Sequence, residues 1–300
     1  LFPSPRANVL YGRMAGILLF IPYTAFRETH RTHHAYLNTP RDLEMWPYSN
    51  PAYSRWFRRA FVVFELLCGW IASPLIFSRI YFVHSDRLSE SARTMIRREY
   101  LVMLLFWALV AATVGWLLAT GRVAWTVVLL AYVLPSLIAP GINAARKFIE
   151  HLGLASTDPV QGTRTVLGPG VVTRLCSYFN FDIAIHGPHH RYPRAKHYEL
   201  PERLRQLQAG AEPANQPPVF ETFAAALWAT LPCLWRCPGV GETVRRDLGQ
   251  TTLTADGDSP GSGRREPLAP DHWDCTQVPA GRSSPRSDVH GLVGDLPKSE

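Results

Sequence analysis

His30-Arg31-Thr32-His33-His34 places three imidazoles in five residues, and the same H-x-x-H-H spacing returns as His186-Gly187-Pro188-His189-His190. On a helix, positions i, i+3 and i+4 share one face, so each stretch aims its three rings into one small volume. A seventh histidine, His151, lies directly after the acid Glu150. Neutral imidazole is a good ligand for iron, copper, zinc and nickel. Six histidines in two such sets exceed what one tetrahedral zinc needs and suit two metal ions held between helices.

Those motifs resemble the histidine boxes of the membrane fatty acid desaturase and hydroxylase superfamily. His30, His33 and His34 match its second box, and His186, His189 and His190 match its third. His151, within Arg146-Lys147-Phe148-Ile149-Glu150-His151, resembles the additional ligand that often precedes the third box. The run Asn38-Thr39-Pro40-Arg41-Asp42 is similar to the residues just after the second box in bacterial members. The resemblance covers roughly residues 1–240. The family's first box, H-x-x-x(-x)-H, has no counterpart before His30, and the chain opens Leu1-Phe2-Pro3-Ser4-Pro5 without a Met. The chain is therefore expected to start just after that box, with two ligands and a membrane hairpin lying upstream.

The resemblance implies a non-haem di-iron centre that uses O2 on a lipid acyl chain. It also implies a ferredoxin, rubredoxin or cytochrome that relays electrons from NAD(P)H through a reductase. Side-chain acids and bases cannot take hydrogen from an unactivated methylene, and zinc has no redox chemistry, so iron is the physical choice. Soluble di-iron bundles use Glu-x-x-His pairs, which this chain lacks. The ligands implied are His30, His33, His34, His151, His186, His189 and His190. Glu150, Asn180 and Asp182 are candidates for orienting their rings. Alternatives of the same superfamily are a hydroxylase or ketolase acting on lipids, carotenoids or hydrocarbons. Outside it stand a zinc-dependent membrane hydrolase and a non-catalytic metal-binding membrane protein or inactive fragment.

The fold expected is all-α: an integral membrane helical protein with a histidine-rich helical cap on the cytoplasmic face. Residues 100–119 and 123–142 are uncharged runs of spanning length, joined only by Thr120-Gly121-Arg122. Arg87, Arg93, Arg97 and Arg98 precede this hairpin and Arg146 and Lys147 come after it, so the positive-inside rule puts both outer ends in the cytoplasm. His30–His34 and His151 then lie on one side. A further crossing at 57–82 would separate them, so that apolar run, broken by Glu65 and Pro74, is expected to lie at the interface. Residues 9–26 read as a surface or partly inserted helix, 201–209 as a short amphipathic helix, and 219–235 as a surface helix. Trp46, Tyr48, Tyr53 and Trp56 suit a headgroup-level belt, or ordinary loop packing.

The net charge of +7 raises nucleic-acid binding, but the arginines flank apolar spans instead of forming a stripe with interleaved aromatics. Anionic lipid headgroups explain them better, and no nucleic-acid partner is expected. The five cysteines include no C-x-x-C, which supports neither a disulfide framework nor a zinc ribbon. Residues 1–240 form the membrane domain. Residues 241–300, rich in Gly, Pro and Ser, read as a disordered tail.

Overall fold

The computed structural model describes residues 2, 4–211 and 216–249. The described chain is helical, with one two-residue parallel pairing between β1 (Thr165–Val166) and β2 (Val219–Phe220). The tail from 250 onward lies outside the described residues. Residues 241–249 depart from the expected tail. They form a short helix whose Thr243 and Val244 are buried, and its Asp247 accepts a 2.6 Å bond from the buried Arg58. The packed unit therefore runs past 240.

Two helices lead into the first histidine set. Ser4 caps α1 (Pro5–Leu19), with Pro5 at its first position, where a missing N–H costs nothing. The chain then turns at Phe20–Pro22, and α2 (Tyr23–Ala35) leaves at 103° to α1. Pro22 offers no side-chain cap. Glu99 supplies one from a distant helix, accepting the Thr24 backbone N–H at 2.8 Å and the Thr24 hydroxyl at 2.9 Å. That contact sets where α2, and so its histidines, begins.

The apolar hairpin is present as expected. Ser89 caps α4 (Glu90–Ala119), and the chain returns through a continuous helical segment, Trp125–His151. Within that segment α5 (Trp125–Val128) passes through a π turn at Leu129–Val133 into α6 (Leu134–His151). Pro135 accounts for the π turn, because its ring clashes with the carbonyl four residues back and it has no N–H to give. Leu104, Leu105 and Leu109 on α4 and Ile138 and Ile142 on α6 are exposed. Helices with apolar residues on their outer faces need an apolar surrounding. Among the described residues three helices, Arg55–Phe82, Glu90–Ala119 and Trp125–His151, are long and apolar enough to cross a membrane.

The first of these, α3 (Arg55–Phe82), is not straight. It breaks at Cys68, whose φ of −124° and ψ of 34° are non-helical. A straight helix would separate Phe61 from Arg79 by about 27 Å. Both instead touch Trp46: its ring lies 5.0 Å from that of Phe61 and 3.9 Å from the Arg79 guanidinium. The helix folds back to the side it left. A flat interfacial helix would keep the histidines together, as expected from the sequence, and the bend achieves the same end by another route. The aromatic belt is only partly realised: Trp56 is exposed, but Tyr48 is fully buried and Trp46 is packed inside the bend.

Both arms of α3 meet α6. Phe61 and Val62 of the first arm and Ile76 of the second form one core with Ala144, Phe148 and Leu152. The crossing is close because glycines face backbone. A Cβ on Gly141 would strike the Leu66 carbonyl, and one on Gly69 would lie 2.8 Å from the Pro140 carbonyl carbon. Gly141→Ala is expected to cost about 1–3 kcal/mol, as for other overpacked sites. It should lower the thermal unfolding midpoint in detergent, whereas Gly115→Ala, in open space on α4, should not. Equal midpoints for the two variants would rule out a tight crossing.

The second arm of α3 packs on α2: Ile80 joins Ala25, Leu43, Leu88 and Ile96 in a separate core. After α6 come α7 (Val171–Phe179), α8 (His186–Arg191), α9 (Leu200–Gly210), α10 (Phe223–Arg236) and α11 (Glu242–Asp247). Cys233 and Cys237 are buried with Val244, joining α10 to α11.

Candidate metal centre

Seven histidines converge at the meeting of α2, the end of α6, and α8. They sort into two sets whose candidate ligand nitrogens lie within 4.8 Å of one another: His33, His151, His186 and His190, all buried, and His30, His34 and His189, half-buried. The division cuts across the boxes. The first H-x-x-H-H stretch gives His33 to one set and His30 and His34 to the other. The second gives His186 and His190 to the first set and His189 to the second. The sets adjoin, since His34 stacks on His190 at 4.3 Å between ring centroids.

Helix geometry produces this sorting. His30 and His34 are one turn apart and their Nε2 atoms meet at 3.0 Å, while His33 points to the side facing α6. There its ring lies 4.7 Å from those of His151 and His190. α8 starts at His186, so Pro188 sits within its first turn and all three histidines are helical.

The other ring nitrogens show which way the imidazoles are held. His33 Nδ1 lies 2.8 Å from Asp42, His30 Nδ1 lies 2.8 Å from Glu44, and His186 Nδ1 lies 3.0 Å from the Ile183 carbonyl. A carbonyl only accepts, so His186 Nδ1 carries the proton and its Nε2 is a lone pair when the ring is neutral. That Nε2 meets His151 Nε2 at 2.7 Å and His190 Nε2 at 3.1 Å. One lone pair cannot serve both rings well, but a cation among them would satisfy all three. The Nδ1 atoms of His34, His151 and His190 and Nε2 of His189 are buried with no hydrogen-bond partner. This donor set fits metal ions, in the pattern of ligand histidines anchored through the far nitrogen.

The electrostatics favour neutral rings in α8. Burial, with His189 alongside, holds His186 well below the usual imidazole range, and burial with His186 alongside does the same to His190. Burial and the neighbouring His30 bring His189 to about 4. Glu44 is half-buried, which alone would raise it, but His30 and His33 outweigh this and keep it well below the usual carboxylate range. Burial also disfavours a charged His33, but Asp42 and Glu44 outweigh it and push that ring up to about 9. Neutral rings in α8 beside carboxylates on α2's side suit a cation.

Among the sequence candidates for orienting groups, only Glu150 is at the centre. It is buried, held by Arg146 at 2.6 Å, and lies 3.6 Å from His186 Nε2. Asn180 and Asp182 point elsewhere: Asn180 donates to the Cys176 carbonyl at 2.7 Å and Asp182 pairs with the exposed His197 at 3.0 Å. Asp42 and Glu44 are the groups sequence reasoning missed. The available signal was their place in a Pro-rich loop directly after the first H-x-x-H-H stretch. A loop leaving α2 must fold back over it, and these are the first acids on that return. Asp42→Asn is expected to weaken metal binding by roughly 10–100-fold, the usual cost of losing an outer partner. A chelator-competition titration would read this, and an unchanged midpoint would mean that Asp42 does not orient His33.

Beside the histidines, Glu65 of α3 accepts a 2.6 Å bond from the Tyr48 hydroxyl and pairs with Lys147 of α6. Sequence reasoning saw Glu65 only as an interruption of an apolar run.

A family model for fatty acid desaturases matches residues 1–223 of the 300. No curated protein and no solved structure matches the chain. With histidines of both matched boxes gathered at one centre inside that span, the chain belongs to the fatty acid desaturase family.

Proposed function

We propose that this protein is a membrane-bound, non-haem di-iron oxidoreductase that desaturates a fatty acyl chain with O2. The observation that carries the reading is the pair of adjoining histidine sets, with Nδ1 atoms tied back to Asp42, Glu44 and Ile183. His33, His151, His186 and His190 would hold one iron, and His30, His34 and His189 the other. When bound, the irons supply the redox chemistry that turns O2 into an oxidant strong enough for an unactivated C–H bond. The chain's own task is to hold the imidazoles in register and to keep the deeper set dry.

The electron balance calls for a partner. Forming an alkene releases two electrons and two protons from the acyl chain, whereas reducing O2 to two waters takes four of each. An external donor must provide the other two electrons: a ferredoxin, rubredoxin or cytochrome fed from NAD(P)H. The cytoplasmic face is the proposed side for the centre, since Arg93, Arg97, Arg98, Arg146 and Lys147 flank the hairpin on the side of the histidines.

The test expresses the full reading frame in a host with a simple lipid profile and compares total fatty acids by mass spectrometry with a His189→Ala control. A new species lighter by two hydrogens, absent from the control, is the expected result. A species heavier by one oxygen would make the enzyme a hydroxylase of the same family. No new species and no bound iron would overturn the di-iron reading.

A further inference from the structure

Helix α7 is inside out. Its buried positions are Thr173 and Ser177, and Thr173 donates to the Glu221 carbonyl at 3.2 Å. Its outward positions are apolar and large: Val171 is 73% exposed, Val172 73%, Leu175 52%, Tyr178 74% and Phe179 73%. At about 100° per residue these five cover an arc of about 120°, with Arg174 at its edge. A helix in water shows the opposite pattern. Nine residues reach only about 14 Å, far short of the roughly 30 Å of a hydrocarbon core, so α7 cannot be a span.

α10 repeats the pattern. It buries Ala226, Thr230 and Cys233 and turns Leu227, Trp228, Leu231 and Trp235 outward, with Trp228 at 77% exposure. This face continues onto α3. Trp235 meets Trp56 edge-on at 6.2 Å, and Arg59 lies over both rings, at 4.8 Å from Trp56 and 4.6 Å from Trp235. Beyond Trp56 the outward apolar surface runs on through Val63, Leu67 and Trp70 of α3. Tryptophan with arginine beside a continuous apolar face is the composition of the membrane–water interface.

We propose that α7 lies in the plane of the membrane, its apolar face seated among lipid acyl chains and Arg174 reaching the headgroups. With α10 it forms a lipid-facing rim around the histidine cap. The occupant is the bilayer, because the outward face of α10 continues onto α3, which has the length and hydropathy of a membrane span, and α7 turns the same kind of apolar face outward. The consequence is positional. Phe179 precedes His186 by seven residues, so the rim holds the metal centre at the membrane surface, where an acyl chain can reach it while remaining largely in lipid. This rests on the membrane reading of the protein but not on the identity of the metals.

The test reconstitutes the full chain into phosphatidylcholine–phosphatidylglycerol vesicles. A phospholipid carrying a diazirine on its acyl chain is photolysed in one sample and a water-soluble diazirine in another, and labelled peptides are mapped by mass spectrometry. Peptide 171–179 is expected to take the lipid label as strongly as 100–119, while the polar helix α9 takes only the aqueous one. In the Val172→Asp/Phe179→Asp variant, lipid labelling of α7 should fall to the level of α9, with 100–119 unchanged. Aqueous labelling of α7 in the unaltered protein would overturn the proposal. Protection from both reagents would also overturn it, showing a protein partner or second copy on this face. Lipid labelling of neither α7 nor 100–119 would overturn the membrane reading along with it.

Discussion

His186→Ala is expected to empty the four-imidazole set and to abolish turnover. His186 is the ring on which that set is built: its Nε2 meets His151 and His190, and its Nδ1 is fixed by the Ile183 carbonyl. Removing it takes one of the four proposed ligands and releases the two rings aimed at it. On the proposed di-iron reading, the bound iron should fall from two per chain to one or fewer. Activity should fall by more than the roughly 10–100-fold attached to loss of an outer partner, because a ligand itself is gone. Metal analysis of the purified protein reads the first effect, and product analysis in the expression host reads the second. His84→Ala is the matched control, since His84 lies at the turn between α3 and α4, outside both sets. A His186→Ala protein with its full complement of iron would refute the ligand assignment.

Lys147→Met is expected to destabilise the fold by about 3–5 kcal/mol, the cost of stranding one member of a buried ion pair. Glu65 is 2% exposed and Lys147 14%, so water cannot replace the missing ammonium. The Tyr48 hydroxyl still donates to Glu65, but it brings no charge. The double variant Glu65→Gln/Lys147→Met should recover most of the loss. Its amide still accepts from Tyr48, and no lone charge is left in the core. Thermal unfolding in detergent, compared across the two single variants and the double, measures the coupling. Equal midpoints for Lys147→Met and the unaltered protein would show that the pair contributes nothing. The expected loss has a consequence for the site. Glu65 and Lys147 join α3 to α6 one helical turn before His151, so loosening them frees the helix end that carries this ring.

Much of the site could be read from spacing alone. H-x-x-H-H in a helix puts three rings on one face, and two such stretches with His151 nearby announce a multi-histidine centre before any fold is known. The hairpin was equally legible, because twenty uncharged residues, a three-residue turn and twenty more allow few other outcomes. Both signals are local. They depend only on the 3.6-residue helix period and the thickness of a bilayer.

The features that stayed hidden depend on where distant segments meet. The i, i+3, i+4 pattern says that His30, His33 and His34 are neighbours. It does not say that His33 leaves its box-mates to join His151, His186 and His190, because that choice is made by the approach of α6. The outer partners Asp42 and Glu44 are ordinary acids in a loop until that loop folds back over α2, while Asn180 and Asp182, nearer in sequence to the third box, face away. The bend at Cys68 was also out of reach: residues 57–82 have the length and hydropathy of a span, and only contacts of both arms with Trp46 reveal the fold-back. Residue type and short-range period were enough to establish the chemistry available to this protein, a set of imidazoles beside apolar helices. Which rings share a centre was set by tertiary packing, because His33 meets His151, His186 and His190 from more than a hundred residues away, and which carboxylates hold them was set by how the loop after α2 folds back over its own helix.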